Sequence, residues 1–352
     1  MIYINGAASI SPQNSLDFNE FVKKMLEYED DFLKSIKPDC KEYMKPIQAR
    51  RLSKTVKNGI ICSRIAMQQA EIEMPDAVIF GTGLGIVLDT EKFLEKMLKD
   101  KEEYLTPTSF IQSTHNTVAA QIAQKIKCHN YNFTYVNRGF SFESALLDAV
   151  MHIKEAKKNI LIGGGDEMTE HYFHIIKKTG IWKQTPTKNT ELLNYKTNGV
   201  LCGEAVSFFI LSDEKKDETF AELKDIRMFY KPDNVSEIKT QIKDFLTKNN
   251  TEYSDIDLII TGHTGDKNND AVFEAILSEN LPETPAVYYK HLCGEFQTAN
   301  AFAFWLANNI IKHQKYPDFI KLNDKNPEKI ETVLIYNHYF NINHSLILLS
   351  RP

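Results

Sequence analysis

The sequence predicts an α/β protein with a largely parallel sheet that helices cover on both faces. Two observations predict this class. Short β-branched runs alternate with longer amphipathic stretches along the 352 residues, which is typical of strands joined by crossover helices. The order of these elements also repeats in the second part of the chain, which indicates two successive halves of βαβαβαββ type.

Ten short runs rich in β-branched and aromatic residues are predicted to be strands. In chain order they are residues 3–10, 77–81, 132–136, 159–163, 206–211, 223–230, 258–261, 286–289, 332–336 and 345–349. Only residues 337–344 separate the last two strands, so we expect these two to form a hairpin at an antiparallel edge.

Helical periodicity is clearest in four segments, residues 53–71, 117–127, 142–156 and 298–313. Asn116 stands where a capping side chain would begin the second of them. Residues 213–217 (DEKKD) form a short charged stretch between the two halves. This stretch predicts a solvated linker, with an N-terminal half at residues 1–212 and a C-terminal half at residues 218–352.

The composition excludes several classes of function. The net charge is −5 and no long basic block occurs, so nucleic acid is not an expected partner. No apolar run is long enough to span a membrane and the N-terminus has no features of a signal peptide, so we expect a cytoplasmic protein. The five cysteines are scattered without a Cys-x-x-Cys pair, so no metal site, other cofactor or disulfide framework is expected.

Five short motifs follow one another on these elements in a fixed order. They are residues 50–53 (RRLS), 80–85 (FGTGLG), 163–167 (GGGDE), 198–205 (NGVLCGEA) and 343–346 (NHSL). Together they resemble the β-ketoacyl-acyl-carrier-protein synthase branch of the thiolase superfamily, over nearly the whole chain. The resemblance implies a thiolase-like fold, in which two duplicated halves form a five-layered αβαβα sandwich.

The family's chemistry needs a nucleophile that carries the acyl chain as a thioester. In the family this is a Cys that follows the third strand and opens a buried helix, where a thiolate is favoured. The matching passage, residues 134–145, places Gly139 at that position. No Cys lies between Cys128 and Cys202, so a shift of one or two residues does not restore the nucleophile.

Two histidines assist the reaction in the family. Gly262 stands in the first histidine slot and His263 follows it, so a one-residue shift turns that ring towards the other face and leaves its role open. His291 is retained at the second slot, and we interpret it as a relic held by packing. The family's lysine slot holds Ala286, while Lys290 stands directly before the histidine.

The C-terminal loop also departs from the family. Synthases use a glycine-rich loop with a gating Phe, because glycine lets the backbone approach the thioester. Here residues 337–343 (NHYFNIN) contain no glycine, and the whole chain has only fifteen. Phe340 is the candidate for the gate position.

The resemblance is closest to the chain length factors of type II polyketide systems, which are non-catalytic subunits. Residues 106–117 and 290–295 also resemble synthase-like proteins of aryl polyene and flexirubin clusters. The resemblance implies a heterodimer with an active synthase, in which the third strand pairs across the interface. It also implies that this subunit helps to shape an acyl tunnel. The candidate tunnel or interface residues are Thr108, Phe110, Gln112, Thr114, Asn116, Phe140 and Phe340. For residues 108–116, ordinary packing at a helix entry is an equal alternative.

Residues 37–57 are locally basic, and this stretch has two interpretations. It is either a solvated helical face or a docking surface for an acidic partner. Under the second interpretation the partner is an acyl carrier protein. Its candidate contacts are Lys41, Lys45, Arg50, Arg51 and Lys54.

Two other functions stay open. One is an active condensing or acyltransfer enzyme with a rebuilt site, which would use Cys293, close to His291, or Ser141 at the strand-to-helix turn. The other is a homodimeric scaffold or binding protein with no part in a synthase.

Overall fold

The computed structural model describes residues 1–105 and 107–352, and ten of its strands form one mixed sheet. They are β1 (Tyr3–Ile10), β2 (Ala77–Gly81), β3 (Tyr131–Tyr135), β4 (Asn159–Asp166), β5 (Ala205–Ser212), β6 (Ala221–Tyr230), β7 (Leu258–Thr261), β8 (Ala286–Tyr288), β9 (Thr332–Tyr339) and β10 (Asn343–Ser350). Their order across the sheet is β8-β7-β9-β10-β6-β1-β5-β4-β2-β3.

The two halves of the sheet repeat one topology. In the N-terminal half β3, β2 and β4 are parallel neighbours; β5 pairs antiparallel with β4, and β1 pairs antiparallel with β5. In the C-terminal half β8, β7 and β9 are parallel neighbours; β10 pairs antiparallel with β9, and β6 pairs antiparallel with β10. The halves meet where Tyr3 and Ile4 pair with Glu222 and Ala221. The predicted pair of βαβαβαββ halves is therefore confirmed.

The strand pairing corrects one prediction about the C-terminal hairpin. β9 and β10 do form a hairpin, but β10 also pairs along its length with β6, so the hairpin lies inside the sheet. The prediction of an antiparallel edge was wrong because β6, the first strand of the C-terminal half, pairs with the other side of β10. Residues 213–217 join β5 to β6 as an exposed turn, and the division into two domains there stays a prediction.

Helices connect the strands. They are α1 (Phe18–Lys23), α2 (Pro46–Ala49), α3 (Lys54–Gln69), α4 (Val87–Lys99), α5 (Pro107–Ser113), α6 (Thr117–Ile126), α7 (Ser141–Lys154), α8 (Glu170–Lys177), α9 (Val235–Lys248), α10 (Lys267–Asn280), α11 (Lys290–Cys293) and α12 (Asn300–His313). Two short ladders pair Glu29–Asp30 with Thr187–Lys188 and Phe32–Leu33 with Cys202–Gly203. Single 3-10 turns lie at Arg138–Phe140, Asn189–Asn194, Tyr253–Asp255 and Asp318–Ile320.

Three apolar cores separate five layers. The central core contains α7 and α12 and receives side chains from both halves of the sheet. α3 and α6 cover the outer face of the N-terminal half, and α9 and α10 cover that of the C-terminal half. α12 is buried along almost its whole length, as a helix enclosed between two sheet faces must be. This is the predicted αβαβα sandwich.

The Asp166 carboxylate joins the two halves at the end of β4. It is buried and accepts hydrogen bonds from five donors. They are the Thr82 hydroxyl and the Gly83 and Leu84 amides, at the end of β2, and the amide and hydroxyl of Thr298, at the entry to α12. One side chain therefore fixes a glycine turn of the first half against the central helix of the second.

Replacing Asp166 by Ala is expected to lower the free energy of unfolding by about 3–5 kcal/mol, because buried amides lose their acceptor. Urea unfolding of the variant at neutral pH measures this loss. Asp213→Ala, on the exposed turn between β5 and β6, is the control and is expected to change stability by less than about 0.5 kcal/mol. Equal small effects of the two changes would contradict the role given to Asp166.

Candidate functional site

The position of the nucleophile is filled by the C-terminal hairpin. Gly139, which the sequence predicts at the family's nucleophile position, lies in the 3-10 turn between β3 and α7. A β-carbon built on it would lie 2.5 Å from the Cβ of Tyr339 and 3.1 Å from the Cβ of Asn343. Carbon atoms pack at about 3.5–4.0 Å, so no side chain fits at this position unless the hairpin moves.

The slot for the first histidine is filled in the same way. A β-carbon on Gly262 would lie 2.2 Å from the side-chain oxygen of Asn337 and 3.0 Å from the Nζ of Lys290. Lys290 is buried, and its ammonium group donates to Glu295 at 2.6 Å and to the carbonyl of His338 at 3.2 Å. A buried ion pair therefore occupies the region in which a synthase would hold an imidazole.

His263 belongs to the packing of the C-terminal half. Its Nδ1 lies 2.7 Å from the Thr261 hydroxyl, and its ring packs on Phe273 at 4.9 Å. Phe273 also stacks on His338 at 4.3 Å and belongs to the outer core of that half. These contacts favour a structural role for the ring.

His291 is buried and stacks on Tyr288 with ring centres 3.9 Å apart. Burial lowers the pKa of His291 to about 3, against a smaller opposing effect of the Phe319 backbone. The ring is therefore neutral at physiological pH. Ala286, at the family's lysine position, is an ordinary buried residue of β8, and the neighbouring Lys290 supplies the cation instead.

The glycine-free C-terminal segment is a tight hairpin, whose turn is shorter than the connection of residues 337–344 predicted from the sequence. β9 continues to Tyr339 and β10 begins at Asn343, opposite it. Phe340 and Asn341 turn the chain with φ of 51° and 54°, a left-handed conformation in which glycine is usual. The ring of Phe340 packs against Tyr339 at 4.6 Å and Trp182 at 6.3 Å, so it lies in an apolar cluster beside the filled site.

The segment expected to line a tunnel lies on the surface of the chain. None of the residues of α5 is buried, and Phe110 is 56% exposed. Thr108 and Asn116 are exposed, Gln112 and Thr114 are half-buried, and Thr106 lies outside the described residues. Phe140, in contrast, is buried next to Gly139.

The capping role predicted for Asn116 was wrong. Its side chain makes no capping hydrogen bond to α6. Instead its amide oxygen accepts from the hydroxyl of Thr114 at 2.7 Å.

β3 forms one edge of the sheet and carries a row of aromatic side chains. Tyr131, Phe133 and Tyr135 are every second residue of the strand, so their side chains lie on the same face. The centre of the Phe133 ring lies 6.0 Å from that of Tyr131 and 4.9 Å from that of Tyr135. Phe133 is 45% exposed and Val136, just after the strand, is 51% exposed. An apolar strand edge of this kind is typical of a surface that another chain covers.

The two alternative nucleophiles have structural contacts. Cys293 is fully buried, burial raises the pKa of its thiol well above the ordinary value, and its Sγ lies 3.3 Å from the carbonyl of Gly294. The hydroxyl of Ser141 donates to the Arg138 carbonyl at 2.8 Å and accepts from the Asn137 amide. All of these partners are backbone groups, so neither side chain has the base that would activate it.

The basic region of residues 37–57 is mostly exposed. Lys41, Lys45, Arg50 and Arg51 face solvent around the short helix α2. Lys54 differs from them, because its ammonium group binds the buried Glu204 carboxylate. The first four are available to a partner, whereas Lys54 has a structural role.

The sequence did not reveal the residues that fill the site. Tyr339 and Asn337 belong to the glycine-free segment, and Glu295 lies five residues after Lys290. For Tyr339 and Asn337 the signal was the loss of glycine in that segment; Glu295 had none.

Metal-ligating side chains are not grouped in threes or larger sets anywhere within residues 1–105 and 107–352. In the same part of the chain, no helix is both long and apolar enough to cross a membrane.

Replacing His291 by Phe is expected to flatten the dependence of stability on pH. The unfolded chain takes up a proton on this residue below pH ~6.5, whereas the folded state takes none until about pH 3, so wild-type stability is lost as pH falls. When the pH is lowered from 7.5 to 5, the free energy of unfolding of the wild type should fall by about 2 kcal/mol more than that of the variant. Urea unfolding at both pH values measures the difference, with His129→Phe at an exposed position as control. Parallel profiles for wild type and His291→Phe would contradict the assignment.

Comparisons with solved structures agree with the fold. The crystal structure of a β-ketoacyl synthase from Burkholderia phymatum STM815 superposes with a TM-score of 0.82 at 15% identity, over 100% of this chain and 99% of that one. The ishigamide ketosynthase/chain length factor gives 0.79 at 16% identity, over 100% and 99%. A type II polyketide ketosynthase in complex with its acyl-carrier protein, AntDE:AntF, gives 0.75 at 13% identity, over 100% and 99%. These likenesses show that the fold is thiolase-like, as predicted.

At the level of sequence, no curated protein matches the chain. The family model described as "Beta-ketoacyl synthase, N-terminal domain" matches residues 29–219, which is more than half of the chain. The match includes the turn with Gly139 and the glycine motifs around Asp166 and Glu204. The chain thus belongs to the β-ketoacyl synthase family.

Proposed function

We propose that this chain is a non-catalytic, chain-length-factor-like subunit that pairs with an active β-ketoacyl synthase in the cytoplasm. There it helps to shape the acyl tunnel during chain elongation of the aryl polyene, polyketide or fatty-acid type. The observation that carries the proposal is the packing at Gly139. Tyr339 and Asn343 leave no room for a side chain at that position, so neither an acyl-enzyme nor its nucleophile can form there.

The second and third parts of a synthase site support the same conclusion. Asn337 and the Lys290–Glu295 pair fill the space at Gly262, and His291 is buried against Tyr288. Losing only the nucleophile would leave a cavity lined by two histidines. Here packed side chains fill the space at both glycines, which is typical of a structural core.

The partner surface is the edge of β3 with its row of aromatic rings. Phe133 and Tyr131 are 45% and 39% exposed, and the neighbouring face of α7 adds Leu147 and Met151 at 38% and 53%. An active synthase of the same fold presents an equivalent strand, and two such edges can join into one continuous sheet. The ishigamide structure, described as a ketosynthase/chain length factor, is a precedent for two such chains in one system.

The tunnel assignment depends on this partner. Thr108, Phe110, Gln112, Thr114 and Asn116 lie on or beside an exposed helix, so they can line a tunnel only where a second subunit covers them. Phe110 stacks on Phe93 at 5.5 Å, which gives the exposed helices α4 and α5 a joint apolar face. Phe140 is buried beside Gly139, whereas Phe340 is half-buried in the apolar cluster with Trp182.

An acyl carrier protein is the second proposed partner. Lys41, Lys45, Arg50 and Arg51 are exposed around Ile47, which is itself 69% exposed. Cations around an apolar side chain are complementary to an acidic helix, and they also speed association with it. A carrier protein bound to its ketosynthase in AntDE:AntF is a precedent within the fold.

The proposal is tested by co-expressing the chain with a Cys-containing synthase homologue from the same genome. We expect the two to co-purify, and we expect intact-mass spectrometry to find no acyl adduct on the isolated chain after incubation with acyl- and malonyl-carrier protein. Phe133→Lys should abolish co-purification, because it places a charge in the apolar interface, whereas Tyr230→Lys, at another exposed aromatic, should not. A stable acyl adduct with turnover in the isolated chain would overturn the proposal.

Restoring the nucleophile by Gly139→Cys is expected to fail. The new side chain would collide with Tyr339, so the variant should lose about 1–3 kcal/mol of stability and gain no acyl adduct. Urea unfolding and mass spectrometry measure the two effects, and Ser254→Cys at an exposed position is the control for adding a thiol. A stable, acylated Gly139→Cys would show that the site is open.

A further inference from the structure

Glu143 is a fully buried acid in the first turn of α7, one turn after Gly139. One of its oxygens, Oε1, accepts two hydrogen bonds at 2.8 Å, from the amide nitrogen of Asn300 on α12 and from the hydroxyl of Ser345 on β10. Its second oxygen, Oε2, has no hydrogen-bond partner among the described residues, and the same is true of the side-chain oxygen of Asn300. The proposed function uses none of these groups.

The two lone oxygens belong to side chains that are already joined by one hydrogen bond. An ionised Glu143 would leave both as buried acceptors without a donor, and each such group costs about 1–3 kcal/mol. A carboxylic acid and a primary amide are complementary, since each offers one donor and one acceptor. A single proton on Oε2 therefore satisfies both oxygens at once.

We propose that Glu143 is a neutral carboxylic acid in the folded protein and that its Oε2–H donates to the side-chain carbonyl of Asn300. The two side chains then form a two-point clamp between α7 of the N-terminal half and α12 of the C-terminal half.

The charged surroundings of Glu143 are consistent with this assignment. The cation near it is Lys290 on α11, and this ammonium group is bound to Glu295. The phenol of Tyr289 also faces the acid, and burial first, then Glu295, Cys293 and Glu143, raise its pKa well above the ordinary value. Burial raises the pKa of Glu143 to about 7, although Asn300, Ser345 and Lys290 act in the opposite direction.

The sign of the pH effect follows from the raised pKa. The folded state holds a proton on Glu143 up to about pH 7, whereas the unfolded chain releases it near pH ~4.3. Stability from this group is therefore complete below pH ~4.3 and is lost as pH rises to about 7. This direction is opposite to that expected for His291, so the two effects can be separated by single substitutions.

The test is Glu143→Gln, because a glutamine amide supplies the same donor and acceptor at every pH. We expect the variant to be as stable as the wild type near pH 5. Between pH 5 and pH 8 the unfolding constant of the wild type should rise about 100-fold more than that of the variant. Urea unfolding across this range measures both constants, and the exposed Glu328→Gln is the matched control.

Two further measurements keep the proposal falsifiable. Infrared spectroscopy of the wild type at pH 6 should show the C=O stretch of a protonated carboxyl group, and Glu143→Gln should remove it. Tyr289→Phe should leave this band in place; its loss would make the phenol oxygen, and not Asn300, the acceptor of the Oε2 proton and overturn the clamp. Parallel pH profiles for wild type and Glu143→Gln, with no such band, would show an ionised Glu143. None of these experiments needs a partner or substrate, so their outcome is independent of the proposed function.

Discussion

The contact between the C-terminal hairpin and the start of α7 is the constraint on which the rest of the site depends. Tyr339 and Asn343 are a cross-strand pair, and both side chains press on Gly139. The pair is fixed by the register of β9 and β10, which in turn is fixed by pairing with β7 and β6 on either side. A contact supported by four strands is rigid, which is why the turn at Gly139 can hold no other residue.

A buried ion pair lies beside Gly262, the position predicted for the first histidine of a synthase. Lys290 and Glu295 form an ion pair that is almost wholly enclosed, and desolvating two ions is costly unless their hydrogen bonds are complete. The carbonyl of His338 accepts a further bond from Lys290, and Asn337 fills the remaining space at Gly262. These contacts replace an open polar cavity by a packed polar core. The same replacement explains why His291 and His338 are held neutral by burial.

The sequence was sufficient to predict the fold, because periodicity and glycine turns depend on local chemistry. β1, β2 and β7 begin and end at the predicted residues. The glycine motifs mark places where two backbones lie in contact, since a β-carbon on Gly203 would lie 1.9 Å from the carbonyl oxygen of Cys293. The absence of a nucleophile was also legible. The filling of the site could not be predicted from the sequence, because Tyr339 and Gly139 lie two hundred residues apart in the chain. Their contact depends on the register of a hairpin whose strands are longer than predicted.

The free edge of β3 has a consequence for the cell that makes this chain. A strand edge with unpaired backbone groups and a row of aromatic rings is a template for any similar edge, including that of a second copy. Copies of this chain in which β3 is left uncovered would therefore associate with one another through that edge. Under the proposed pairing, matched synthesis of this chain and its synthase partner is the simplest protection against such self-association.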